Sequence, residues 1–101
     1  MEQFPREVLC EWAGATPEIA ALYVFGSRAR GTARFDSDLD LAVEVYGGSF
    51  GPLVKFVLNR ARWIEELRSL TGISVKDLEL IEVSKSVKDP IEIFRRYDLR
   101  D

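Results

Sequence analysis

Residues 25–43 read FGSRARGTARFDSDLDLAV, a stretch that holds two glycines, three arginines and three aspartates before it becomes apolar. Gly26-Ser27 directly follows a run of β-formers, and Gly31 comes a turn later. Glycine lets a backbone bend sharply and lets an anion approach the amides closely. If a short helix starts here, its free N–H groups and the Ser27 hydroxyl point into the bend, which makes a phosphate cradle. Arg28, Arg30 and Arg34 bring guanidinium groups suited to phosphate oxygens, with Arg28 the preferred contact.

At the other end of the stretch, Asp38 and Asp40 stand two apart at the start of a strand. Side chains two apart on a strand share a face, so both carboxylates point the same way. Like charges held side by side repel unless a cation sits between them. Magnesium is commonly held by one or two carboxylates together with substrate phosphates. Ser37 is placed to tie down the loop before them, and Leu39 and Leu41 anchor the pair from the opposite face. Phosphate at one end and metal at the other suits nucleotidyl transfer, in which a hydroxyl attacks a metal-bridged α-phosphate in line.

These residues need a scaffold, and the flanking pattern supplies one. Pro5 starts a first helix with Val8, Leu9 and Trp12 at helical spacing, and Gly14 can end it. Thr16 and Pro17 look like the N-cap and first position of a second helix. The runs at 21–25 and 39–45 read as strands, joined by the polar stretch. From Pro52 to Leu70 the spacing predicts a helix with a core stripe of Leu53, Phe56, Val57, Ala61, Ile64 and Leu67. Residues 77–83 read as a third strand. Residues 89–97, DPIEIFRRY, are predicted as a last helix capped by Asp89. Alternating strands and helices give an α/β (α+β) fold, a small mixed sheet with helices packed against it, in a single domain over 1–101.

Composition narrows the function. The net charge of −3 disfavours a protein that grips nucleic acid along its whole surface. With one cysteine, Cys10, and no histidine, neither an intrachain disulfide, nor His-based catalysis, nor a thiolate or imidazole metal site is available. Any metal is held by oxygen, as hard ions are. No apolar run approaches the roughly 20 residues of a membrane span, no signal-peptide core is seen at the start, and a cytoplasmic location is expected.

GSRARGTARFDSDLDLAV resembles the signature of the DNA polymerase β-like nucleotidyltransferase superfamily, and is most similar to the minimal nucleotidyltransferases that pair with HEPN-domain toxins. The resemblance is specific over residues 21–45, extends in element order to about residue 83, and is weak beyond. It implies that Gly26 and Ser27, with Arg28, Gly31 and Ser37 nearby, bind the triphosphate of ATP. It also implies that Asp38 and Asp40 hold Mg²⁺, two ions in the complete site. A third carboxylate on a later strand is expected, and LELIEV places Glu79 where an aspartate is usual, with Asp77 as the alternative. The implied activity is transfer of AMP to a hydroxyl of a partner protein, with this chain as the antitoxin of a HEPN toxin.

Two rivals accompany that reading. A non-catalytic antitoxin would keep the fold and cover its partner without transfer, and the unusual third carboxylate is what supports it. An aminoglycoside-type transferase would modify a small molecule, and normally dimerises. A P-loop is excluded, because Thr32-Ala33 replaces the lysine that the motif requires. Trp12 is expected in the core, Trp63 is open between core and partner surface, and Arg95 and Arg96 are candidate partner contacts.

Overall fold

The computed structural model describes residues 2–97. Their order is helix α1 (Arg6–Ala15), strand β1 (Ile19–Phe25), short helix α2 (Gly26–Arg30), strand β2 (Leu39–Val45), helix α3 (Pro52–Thr71) and strands β3 (Val75–Leu80) and β4 (Ile91–Arg95). The strands form one mixed sheet in the order β3-β2-β1-β4. β1 runs antiparallel to both β2 and β4, while β2 and β3 are parallel. A parallel pair needs a long crossover, and α3 supplies it. The expected α/β fold with a small mixed sheet is therefore the one observed.

β1 and β2 alternate strictly enough to sort their faces. Leu22 and Val24 on β1, and Leu39, Leu41 and Val43 on β2, join one buried cluster with Leu78 and Leu80 of β3. Leu9, Trp12 and Ala13 of α1 and Phe56, Trp63 and Leu67 of α3 close that cluster from the same side. The Trp12 and Trp63 rings meet edge to face, with centroids 6.2 Å apart and planes at 81°, a favoured aromatic geometry. Trp12 also donates its indole N–H to Glu66 Oε1 at 2.9 Å. Trp63 thus belongs to the core. The opposite face of the sheet carries Asp40, Ala42 and Glu44 of β2 and Tyr23 of β1.

Four expectations are corrected. Thr16 does not cap a second helix: its hydroxyl donates to Trp12 O at 2.7 Å and finishes α1, and the chain enters β1 at Ile19. The stripe on α3 is rotated, because the bulky Phe56, Trp63 and Leu67 take the core and leave Leu53, Val57 and Ala61 exposed. The third strand begins at Val75 and ends at Leu80, with residues 81–83 in a turn. The segment expected as a last helix is strand β4. Asp89 has φ 49°, outside the conformation a helix cap adopts, and Ile91, Glu92 and Phe94 pair with Val24, Tyr23 and Leu22 along the free edge of β1 instead.

That strand occupies both arginines that were candidate partner contacts. Arg95 donates to Tyr23 Oη at 2.8 Å, to Glu92 Oε1 at 2.9 Å and to Glu44 Oε1 at 3.2 Å. Arg96 reaches the carbonyls of Ala13 at 2.8 Å, Ile19 at 3.1 Å, and Gly14 and Thr16 at 3.3 Å. These carbonyls lie where α1 ends and β1 begins, and the end of a helix leaves such acceptors without intrahelical partners.

Candidate active site

β1 ends in Phe25, whose register partner on β2 is Asp40. The next residue is therefore delivered directly beside that carboxylate. Gly26 has φ 78°, a left-handed conformation. A Cβ built on it would overlap Asp40 Oδ2 and stand 3.0 Å from Asp40 Cγ. Only glycine meets both demands, the hand of the backbone and the close approach. The chain then turns into α2, whose amino end has no side-chain cap. Ser27 stands in that first turn, and its carbonyl accepts the N–H groups of Gly31 and Thr32, the latter at 3.0 Å. Gly31 ends α2 with φ 79° and has nothing within 4 Å of an added Cβ. It is glycine for conformation, not for space.

Asp40 is the electrostatic centre of the site. Its Oδ1 is buried and has no hydrogen-bond partner among the described residues. Burial foremost, and then the Asp77 and Asp38 carboxylates, push its pKa above the ordinary carboxylate range, while Lys76 and Arg30 work against the rise. An orphaned buried acceptor of this kind is costly to keep unless something completes it.

The neighbour of Asp40 on β3 is Asp77. The register there contains an irregularity: Leu39 pairs with Val75, and Asp40 with Asp77, so Lys76 is the extra residue of a bulge. The bulge explains how Val75 and Leu78, three apart, both enter the core. It also re-aims Asp77 to the face that bears Asp40, as bulges beside functional sites commonly do. Glu79 pairs with Ala42, one step further along the same face, about 7 Å on at the usual strand rise. The register thus sets Asp77 beside Asp40 and Glu79 one pair further along the same face.

Among the described residues no three acidic or thiol side chains converge closely enough to hold a metal ion by themselves, so Asp38, Asp40 and Glu79 do not form a ready cage. The donor chemistry nevertheless fits a hard divalent cation. The groups are carboxylates, one oxygen lacks any partner, and magnesium draws its remaining ligands from water and phosphate. Asp38 and Asp40 would hold it, with Asp77 beside them.

The remaining expected residues are placed as follows. The Ser37 hydroxyl accepts the N–H of Arg34 at 2.9 Å and so closes the loop ahead of Asp38. Arg28 turns to backbone carbonyls, donating to Ser37 O at 2.6 Å, Gln3 O at 2.8 Å and Phe35 O at 3.4 Å. The cations that bear on Asp40 are instead Lys76 and Arg30. Sequence reasoning passed over Lys76, although apolar residues three apart in VKDL signal a bulge within a strand.

The profile of the nucleotidyltransferase domain family matches residues 3–98. Among solved structures, one described as a candidate nucleotidyltransferase from Sulfolobus solfataricus is 26% identical, with a TM-score of 0.56 over 90% of this chain and 77% of that one. A toxin–antitoxin structure determined with AMP-PNP shares the fold at 19% identity and a TM-score of 0.66, covering 90% of this chain and 73% of the other. No curated protein matches. With the profile spanning nearly the whole chain, and the Gly26 bend set against the Asp40 carboxylate, the protein belongs to the nucleotidyltransferase domain family.

Proposed function

We propose that the chain is an Mg²⁺-dependent nucleotidyltransferase that moves AMP from ATP onto a hydroxyl of a partner protein, and that it is the antitoxin of a HEPN toxin. The observation that carries the reading is the buried, partnerless oxygen of Asp40 across from the Gly26 bend. A phosphate tail lying in the bend meets the first amides of α2 and the Ser27 hydroxyl, and its inner phosphate faces Asp38 and Asp40. The metal, when bound, supplies charge neutralisation between those carboxylates and the phosphate. The acceptor hydroxyl approaches from the Asp40 face of the sheet, opposite α1 and α3. Its oxygen bonds to the α-phosphorus, the bond from that phosphorus to the bridging oxygen of pyrophosphate breaks, and the hydroxyl proton passes to Asp77. A carboxylate beside the metal ligands is suited to that proton transfer.

Nucleotide and partner class are supported by the fold neighbour, a toxin–antitoxin structure with AMP-PNP, and by the resemblance of the signature stretch. The test is transfer of label from α-³²P-ATP with Mg²⁺ to the product of the neighbouring gene. Label on that protein that disappears with Asp40→Asn is the expected result. No label with any nucleotide, together with unchanged toxin neutralisation by Asp40→Asn, ends the proposal.

Among the described residues no ready three-carboxylate cage is formed, which favours a second reading, a non-catalytic antitoxin that only covers its partner. Calorimetry separates the two, since a dead site shows no Mg²⁺-dependent ATP binding.

A further inference from the structure

The loop that carries Asp38 is held by a clamp built from the amino-terminal segment and α2. Gln3 makes two bonds to one residue of that loop: its Nε2 donates to Ala33 O at 2.9 Å, and its Oε1 accepts the Ala33 N–H at 2.9 Å. Arg28 closes the arrangement from α2. One edge of its guanidinium grips Ser37 O through Nε at 3.1 Å and Nη2 at 2.6 Å, while Nη1 donates to Gln3 O at 2.8 Å. The carbonyl it grips belongs to the residue immediately before Asp38.

We propose that Arg28 and Gln3 are positioning residues, which fix the Ser37–Asp38 backbone so that Asp38 and Asp40 would together hold the cation of the site proposed above. The inference rests on the metal-bearing site proposed above and goes beyond it, because it moves Arg28 from phosphate contact to scaffold and makes residue 3 part of the site. A guanidinium can bridge two carbonyls in a fixed plane, and an ammonium cannot. With Arg28 committed to backbone carbonyls on the amino-terminal side, charge near Asp40 is left to Arg30 and Lys76.

The experiment compares the full-length wild type with Arg28→Met and Gln3→Ala, using amide hydrogen exchange, Mn²⁺ binding followed by electron paramagnetic resonance, and the split between KM for ATP and kcat. Gln3→Ala removes only the amino-terminal half of the clamp, and so remains informative should Arg28→Met fold poorly. Both variants should exchange faster than the wild type at residues 33–39, with the sheet unchanged. Mn²⁺ binding should weaken by about tenfold or more, the usual effect of removing a group that orients a ligand, and kcat should fall with little change in KM. A tenfold rise in KM with exchange at 33–39 unchanged makes Arg28 a phosphate contact and overturns the proposal. Wild-type Mn²⁺ affinity in both variants overturns the clamp alone. A wild-type chain that binds no Mn²⁺ overturns the site reading beneath it, and faster exchange in the variants then marks a purely structural clamp.

Discussion

Gly26 and Asp40 stand so close that no Cβ fits between the backbone of one and the carboxylate of the other. Two strands of the sheet are thereby locked to a single relative placement at the end where the chain turns into α2. The same contact sets the space in which a phosphate can meet a carboxylate-bound metal.

Gly26→Ala is expected to displace the Asp40 side chain and impose a left-handed conformation on an L-residue, at about 1–3 kcal/mol for the backbone alone. Urea unfolding should show that loss, and ATP-dependent transfer should fall below detection. Gly31→Ala is the control: it shares the backbone cost but meets no neighbour. Wild-type stability in Gly26→Ala would contradict the contact.

Asp40→Asn should raise the melting temperature of the metal-free protein at neutral pH while abolishing transfer. The sign follows from the raised pKa of Asp40, whose largest cause is burial. The folded state holds this proton more tightly than the unfolded chain does, so ionisation costs folding. That cost is fully present above the folded pKa and vanishes below the unfolded one. The advantage of the variant should accordingly shrink as pH drops through the carboxylate range. An equal or lower melting temperature at pH 7 would contradict it.

Asp77→Asn and Glu79→Gln distinguish the two candidates for the third carboxylate. Because Asp77 pairs with Asp40 and Glu79 with Ala42, Asp77→Asn should lower kcat by about 10²–10⁴-fold, the usual worth of a positioned base. Glu79→Gln should stay within a few-fold of wild type. Single-turnover transfer assays decide it, and the opposite ranking would restore Glu79.

Arg96→Met tests the junction of α1 and β1. The arginine serves four carbonyls there, and a hydrogen bond from a charged group contributes about 1.5–3 kcal/mol where water cannot replace it. A loss in that range by denaturant titration is expected, with nucleotide binding unaffected. A change below about 0.5 kcal/mol, the range of ordinary surface substitutions, would mean that water substitutes for the side chain.

Much of this arrangement was legible beforehand, for reasons that differ by segment. The bounds of β2 follow from uninterrupted alternation of Leu39, Leu41, Val43 and Val45 with polar or small residues. Gly51 precedes α3 with a positive φ and Gly72 ends it in a left-handed conformation, the punctuation that sequence reasoning uses. β4 was not legible, because IEIFR is short and its strand character comes from an edge of β1 that only tertiary structure reveals. Trp63 took the core beside Phe56 and Leu67, and Leu53, Val57 and Ala61 of the expected stripe did not, because filling volume against Trp12 outweighed the periodicity of smaller residues. The clamp on Asp38 escaped notice since Arg28 bonds backbone carbonyls, which leave no mark in a sequence.

The extra residue in β3 also limits how this chain can change its length. Deleting Lys76 would remove the bulge and leave Asp77 and Leu78 opposite Asp40 and Leu41, whereas one further residue inserted before Leu78 would swing the rest of the strand to the wrong side, turning Leu78 and Leu80 toward water. Insertions and deletions can accumulate freely in the turn after Leu80, where no alternation has to be kept. Between Asp77 and Leu80 the spacing is as constrained as the chemistry beside it.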